Sequence, residues 1–213
     1  MKPVVALAVV GLGLCGGSAF EARAQSVELT LTGRIPPAVC SITLANGGVV
    51  DLGTIRLQSL NLTEETLVGD AEVPMSVTCD APMRFAFMGT DNTSNSAPIP
   101  ARYGLGLTPA GERIGGAVVS FEDASADGHP AYYTRSDDHG SRWDAAHNGG
   151  PRLLEKSAIS AFSTTAGTFD GPDPIQSLQV KLRVKTYIAP VDTLTIEGEV
   201  LIKGSATIEM SYF

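Results

Sequence analysis

The chain has 213 residues, of which 43% are hydrophobic and 18% charged, with 23 Gly and 13 Pro. This composition is typical of a globular domain and excludes an intrinsically disordered chain, and the length suits one large domain. The formal net charge of -8 disfavours nucleic acid and anionic membrane surfaces as partners.

The first 24 residues have the pattern of a secretory signal peptide. Lys2 gives a positive start, residues 4–14 form an apolar run, and Ala22-Arg23-Ala24 is an A-x-A cleavage site. The apolar run is too short to span a bilayer. We therefore predict an exported protein with a signal peptide at residues 1–24 and one mature domain at residues 25–213.

Export makes the cysteine count informative. Cys15 leaves with the signal peptide, and Cys40 and Cys79 remain as an even pair in an oxidising compartment. Neither has a second Cys or a His at the spacing of metal ligands. We predict a structural Cys40–Cys79 disulfide, and neither a metal nor another cofactor.

Alternating apolar residues predict strands along most of the mature chain. In chain order these patterns cover residues 27–35, 40–44, 49–55, 72–79, 83–88, 103–107, 117–121 and 178–188. A turn rich in Gly and Pro makes a hairpin of 103–107 and 117–121. Residues 153–162 come nearest to a helical pattern, but they lack caps. Many short strands with one disulfide predict an antiparallel β-sandwich.

The stretch from about 122 to 177 differs from the rest of the chain. It holds a polar segment with all three histidines and several aspartates: Asp127, His129, Asp137, Asp138, His139, Asp144 and His147. These side chains have suitable atoms for a metal, but no short His-x-x-x-His spacing or Glu partner fixes the geometry. We predict a polar loop insertion between strands.

The closing stretch, residues 200–213, predicts one long half-buried strand. Every second residue is small or apolar, namely Val200, Ile202, Gly204, Ala206, Ile208, Met210 and Tyr212. Such a strand at a chain end is an edge that needs cover. Near the other end, Val27, Leu29 and Leu31 alternate just after the export signal. They form either the first strand of this domain or a strand donated to another subunit.

The order of these motifs resembles the pilins of the bacterial chaperone–usher pathway. Thr32-Gly33 precedes Cys40, Val50-Asp51-Leu52-Gly53 follows it, Ser76-Val77-Thr78-Cys79 carries the second cysteine, and residues 206–213 close the chain. More narrowly, residues 32–40 (TGRIPPAVC) and 77–82 (VTCDAP) resemble a proteobacterial fimbria-associated family that is catalogued only as a domain of unknown function.

The pilin resemblance implies an immunoglobulin-like sandwich that lacks its final strand. The apolar face of the closing strand would line a groove, which a periplasmic chaperone fills first and a donor strand of another subunit fills later. The implied partners are a periplasmic pilus chaperone, an outer-membrane usher and other fimbrial subunits. Tyr212 would take part in chaperone recognition rather than in ordinary edge packing. The implied destination is the cell surface, reached through the periplasm.

Two other functions fit some of the residues. Trp143, Tyr132 and Tyr133, beside Asp and Asn side chains, would suit a sugar ring, which favours a carbohydrate-binding adhesin with a host or surface glycan as partner. A secreted hydrolase has less support, because the chain has no G-x-S-x-G elbow. The sequence therefore predicts a structural fimbrial subunit that serves adhesion and has no catalytic residue. Its place in the fibre (shaft, tip or terminus) stays open.

Overall fold

A computed structural model describes residues 39–213 of the chain. Within these residues no helix is long and apolar enough to cross a membrane. The strands are β1 (Cys40–Leu44), β2 (Thr66–Met83), β3 (Phe85–Asp91), β4 (Tyr103–Gly104), β5 (Gly115–Ala126), β6 (His129–Pro130), β7 (Tyr132–Ser136), β8 (Ile159–Ser163), β9 (Ile175–Ile188) and β10 (Ala206–Tyr212). Short 3-10 turns lie at Ala45–Gly48, Leu57–Ser59 and Val191–Thr193.

The segment with Val27, Leu29 and Leu31 lies outside the described residues, as does the predicted signal peptide. Whether that segment donates a strand or begins this domain is therefore still a prediction.

Two antiparallel sheets form a sandwich, which confirms the predicted all-β fold. The first sheet has the order β1-β2-β9-β5-β4, with β6 paired to β5, and the second has the order β10-β3-β8-β7. The long strands β2 and β9 pair along most of their length, with Val73 opposite Leu182. Within the described residues β1 is therefore an edge of the first sheet and β10 an edge of the second.

The period-two pattern of β2 explains how the first sheet faces the core. Val73, Met75 and Val77 are buried, whereas Pro74 and Thr78 between and beside them are exposed. Cys79 continues the buried face and forms a disulfide with Cys40, its direct partner on β1. The predicted disulfide between neighbouring strands is confirmed.

Four aromatic rings join the two sheets at the centre of the sandwich. Phe121 of β5 lies with its ring centroid 5.9 Å from Phe87 of β3, 5.4 Å from Phe162 of β8 and 6.1 Å from Tyr133 of β7. All four side chains are at most 1% exposed. The Phe121–Phe162 pair is edge-to-face, an arrangement that the charge distribution of aromatic rings favours.

The predicted loop insertion at about 122–177 is wrong for much of that stretch, because β6, β7 and β8 lie within it. Every residue of β8 is buried. Ile159 and Ala161 pack with Ala86 of β3 on one face of the sheet, and Trp143 covers this cluster. A strand buried on both faces has no period-two pattern, so it reads like a helix or a loop in the sequence.

The closing strand is shorter than the predicted range 200–213. It begins at Ala206 because its partner β3 ends at Asp91. Before that point the chain turns to the other sheet, where the Lys203 N–H donates to the Leu105 carbonyl at 3.0 Å. Gly204 permits this approach, since a Cβ there would lie 2.9 Å from the Leu105 side chain.

Candidate functional site

An open groove of about 1190 Å³ lies between the edge strands β1 and β10. Ile42 and Leu44 of β1 line one side, and Ala206 and Ile208 of β10 line the other. Within the described residues, β10 pairs only with β3, so its second edge is available to another strand. The groove therefore joins an apolar lining to an unpaired strand edge.

Two segments outside the strands continue the walls of the groove. Residues 49–55 follow β1, and residues 194–202 precede β10. Their apolar lining residues are Val49, Val50, Leu52, Ile55, Leu194, Ile196, Val200, Leu201 and Ile202. Leu52 lies against Gly69 of β2, where a Cβ would be 2.5 Å from the Leu52 side chain. The absence of a side chain at Gly69 thus lets this wall approach the sheet.

The floor of the groove is the inner face of the first sheet. It is formed by Val73, Ala117, Val119, Leu182, Val184 and Ile188. Burial of apolar surface contributes roughly 25 cal/mol per Å². Four of the six floor residues (Val73, Ala117, Leu182 and Ile188) are at most 8% exposed, whereas Val49 and Leu201 in the walls are 70% and 59% exposed. The apolar surface that a bound chain would cover therefore lies mainly on the walls, and exposed apolar surface of this kind favours a partner that covers it.

Charged groups are scarce in the groove, where Asp51 and Glu199 are the only charged lining residues among those described. One wall is anchored from outside by Glu112. Its carboxylate accepts the Thr195 hydroxyl at 2.6 Å and the Thr195 N–H at 2.7 Å, and also the Thr108 hydroxyl. The hydrogen bonds from Thr195 hold the pKa of Glu112 below its usual value. The arrangement suits an apolar strand with few charges.

The structure brings most of the predicted groove residues together. Val200, Ile202, Gly204, Ala206 and Ile208 line the groove. Met210 is not among the lining residues and packs against the main core. Tyr212 lies where β1 begins, and its hydroxyl accepts the Cys40 N–H at 3.3 Å. That contact ties β10 to β1, and a role of Tyr212 in chaperone recognition stays a prediction.

The wall formed by residues 49–55 was missed as part of the site. The sequence carries a signal, because Val50 and Leu52 alternate with polar Asp51. The chain direction after β1 depends on the turn at Ala45–Gly48, where Asn46 and Gly47 have φ of 52° and 63°. Apolar alternation predicts a strand there but not which cavity its side chains face.

The aromatic residues considered for a sugar site do not form one surface, so that interpretation is wrong for Tyr133. This side chain is 1% exposed, and its hydroxyl donates to the Leu153 carbonyl at 2.9 Å. Burial raises the pKa of Tyr133 to about 12. Trp143 is half-buried and packs edge-on against Phe213, with ring centroids 5.7 Å apart. A sugar ring stacks on an exposed aromatic face, which the buried Tyr133 ring does not offer.

Asp138 and His147 of the polar stretch make local contacts with neighbouring residues. The Asp138 carboxylate accepts the Arg142 N–H and the Ser136 hydroxyl, both at 2.8 Å, and the Arg142 N–H foremost lowers the pKa of Asp138 to about 2. The His147 ring packs against Tyr133. In residues 39–213 no three His, Cys, Asp or Glu side chains are grouped as metal ligands.

In comparisons with known proteins, part of the chain matches a family of unknown function. Residues 29–101 match the family described as "Protein of unknown function (DUF1120)". The chain is similar to Protein GltF of Escherichia coli K12, with 25% identity over 238 aligned positions covering 94% of each protein. It is also similar to Uncharacterized protein YhcF of the same organism, with 28% identity over 92 positions, or 43% of this chain and 38% of that protein. No solved structure matches the chain significantly.

Proposed function

We propose that this chain is a structural, non-catalytic subunit of a surface fimbria. Its groove would be filled by a strand that another protein supplies. The observation that carries the proposal is the apolar groove between two edge strands, one from each sheet, with an edge of β10 that no strand among residues 39–213 pairs with. A strand placed there would pair with the edge and cover the floor in a single step.

The chemistry of the groove indicates which strand would bind. Its lining is almost wholly apolar, so an inserted strand needs apolar side chains at alternate positions. Each Val or Leu that becomes fully buried would contribute roughly 1.5 to 3 kcal/mol. A short strand could then hold two subunits together without a covalent bond. Val27, Leu29 and Leu31 have this spacing and make residues 25–36 a candidate donor.

The proposal places the protein in an export route. The subunit would pass through the periplasm, where a pilus chaperone covers the groove, and an outer-membrane usher would then add it to other fimbrial subunits at the cell surface. The signal sequence supports the first step, and a groove that no strand among residues 39–213 fills supports the need for a chaperone. Adhesion would be a property of the assembled fibre.

The decisive experiment places a charge in the groove. Ile208→Asp puts a carboxylate against the apolar lining, where an unpaired buried charge costs several kcal/mol. Ser211→Asp, on the exposed face of β10, is the matched control. We expect the Ile208 variant to be degraded in the periplasm and absent from fibres sheared off the cells, whereas the control assembles normally.

A binding measurement separates accepting a strand from donating one. The signal-cleaved chain is mixed with a synthetic peptide of residues 25–36 or with the same peptide carrying Val27→Asp and Leu29→Asp, and the melting temperature is followed. A rise with the first peptide alone identifies this chain as donor and acceptor. If the protein is absent from surface fibres, folds reversibly as a monomer and ignores donor peptides of this and neighbouring fimbrial subunits, the proposal is wrong.

A further inference from the structure

A second, polar recess lies at the end of β3 and shares no lining residue with the groove. It has a volume of about 320 Å³, at the lower end of the range for small-molecule sites. Gly89, Thr90 and Asp91 of β3 line one side, and Ser94, Asn95, Ala97 and Pro100 of the following loop line another. Arg113, before β5, and Lys156 supply its positive charge.

Asp91 and Lys156 form a fixed, neutral pair at this recess. The Asp91 side chain is 3% exposed and accepts the Thr93 and Gly104 N–H groups at 3.1 and 3.0 Å. Lys156 approaches the same carboxylate at 3.4 Å and donates to the Arg102 carbonyl at 2.6 Å. These contacts hold both side chains in place, and their opposite charges offset each other. Among the described lining residues, Arg113 is then the cation that has no carboxylate partner.

Arg113 is oriented but not neutralised. Its side chain is exposed, and its Nε donates to the Asn95 carbonyl at 3.1 Å, which directs the guanidinium toward the loop after β3. Its terminal nitrogens make no hydrogen bond or ion pair with any residue from 39 to 213. A guanidinium with its terminal nitrogens available matches the two oxygens of a carboxylate. The Glu209 carboxylate, which accepts the Thr90 hydroxyl, borders the recess but makes no ion pair with Arg113 among the described residues.

Neutral polar groups stand beside this cation. The Ser94 hydroxyl and the Asn95 amide line the recess and make no side-chain hydrogen bond to other described residues, while the Thr90 hydroxyl donates to Glu209 at 3.0 Å. Together they offer donors and acceptors of the kind that sugar hydroxyls require. With the Glu209 carboxylate nearby, a singly charged carboxylate suits this recess better than a doubly charged phosphate.

We propose that this recess binds an acidic monosaccharide of the uronic acid class. The sugar carboxylate would pair with the terminal nitrogens of Arg113, and the ring hydroxyls would bond to Ser94 and Asn95. This site differs from the aromatic sugar site expected from the sequence, and it does not depend on what fills the groove.

The test is a titration of the signal-cleaved chain with sodium glucuronate, followed by NMR chemical shifts or calorimetry. Glucose is the neutral control, and sodium acetate at equal ionic strength is the control for the carboxylate alone. We expect saturable binding of glucuronate that is at least about tenfold tighter than that of either control, because only glucuronate uses both sets of groups.

Two variants locate the site. Arg113→Gln should weaken glucuronate binding at least about tenfold, whereas Arg56→Gln, an exposed arginine elsewhere, should not. If Arg113→Gln does not fold, Ser94→Asp replaces it, since it adds a repelling charge at an exposed loop position, with Ser211→Asp as its control. Any of three results would overturn the proposal: no saturable binding of glucuronate, equal binding of glucuronate and acetate, or unchanged binding by folded variants at positions 113 and 94.

Discussion

At the scale of single residues, Asp91 is the most tightly held carboxylate near the end of β3. Burial acts to raise its pKa, but the N–H of Gly104, the hydroxyl and N–H of Thr93 and the charge of Lys156 together hold the pKa below its usual value. These contacts connect β3 to β4, which forms one border of the groove floor. The carboxylate thus stabilises the loop between the two strands.

The lowered pKa of Asp91 predicts a pH-dependent contribution to stability. Its unfolded pKa is about 3.9, so the contribution is complete above that value and is lost as the pH falls through the lower folded pKa. Asp91→Asn should reduce the free energy of unfolding by about 2 kcal/mol at pH 7, since hydrogen bonds to a charged group are lost.

Urea unfolding at pH 7, 4 and 2.5 measures this effect. The difference between wild type and the Asp91 variant should shrink at the lowest pH. Asp192→Asn, an exposed control with no side-chain hydrogen bond among residues 39–213, should behave like wild type at every pH. A difference that is constant with pH would contradict an ionised Asp91.

At the scale of elements, the disulfide determines how firmly β1 is held as a wall of the groove. Cys40 and Cys79 are separated by 39 residues in sequence, and β1 is an edge strand of only five residues. The disulfide to β2 therefore adds to the few backbone hydrogen bonds that hold β1 in the sheet. Without it, we expect β1 and the wall that follows it to separate from the sheet before the rest of the sandwich unfolds.

Replacing both cysteines by serine should lower the free energy of unfolding by roughly 3 to 4 kcal/mol, because the unfolded chain regains the freedom of a closed loop. Urea unfolding gives the value, and hydrogen exchange at residues 40–55 shows whether the loss begins at the β1 wall. Ser41→Ala on the same strand is the control. Equal stability of the double variant and wild type would contradict this structural role.

Tryptophan fluorescence can report on the position of the end of β10. Trp143 is the single tryptophan of the chain, and its ring lies 5.7 Å from that of Phe213, which follows β10. Gly140, with φ of 93°, leaves room for the Phe213 ring, since a Cβ there would be 2.5 Å from it. The contact reports whether β10 is seated along β3.

Phe213→Ala should shift the Trp143 emission to longer wavelength, because the indole becomes more exposed to water. Leu201→Ala, in the segment that precedes β10 and 59% exposed, should leave the emission unchanged. The comparison requires both variants to keep the wild-type circular dichroism. An unchanged spectrum of the Phe213 variant would show that the two rings are not in contact.

At the scale of the whole molecule, the described part of the sandwich has an edge strand of each sheet on either side of an apolar groove. Aromatic packing closes the interior around Phe121, but the side bounded by β1 and β10 has no strand of its own among the described residues. The molecule is therefore expected to be less stable alone than with a strand in the groove, and to need an oxidising compartment for its disulfide.

Expression of the full chain, with its signal sequence, tests whether the protein reaches an oxidising compartment. We expect cleavage after Ala24, so the intact mass of the periplasmic protein should correspond to a chain that begins at Gln25. Reduction of the disulfide should raise this mass by the mass of two hydrogen atoms. A start upstream of Ser18, or two free thiols in the exported protein, would contradict the prediction. Ala24→Leu should retain the precursor, since cleavage requires a small residue at that position.

The period of two in the sequence was enough to predict the strands that have one face exposed to solvent. The alternation in β2 and β9 could be predicted because each of these strands has one more buried and one more exposed face. The hairpin of β4 and β5 could be predicted from the turn rich in Gly and Pro between them. The even count of mature cysteines likewise sufficed for the disulfide. These signals are local in the sequence, or need only a residue count.

The tertiary structure decided what depends on contacts between distant residues. β8 is buried on both faces and has no alternation to detect, β10 begins only where β3 provides a partner, and Tyr133 is a core residue because Phe121 and Phe162 surround it. The recess at Arg113 likewise exists only because the loop after β3 meets the segment before β5. The sequence by itself determined the class of fold and an apolar closing strand; the walls of the groove follow from how the two sheets stack, which no local pattern encodes.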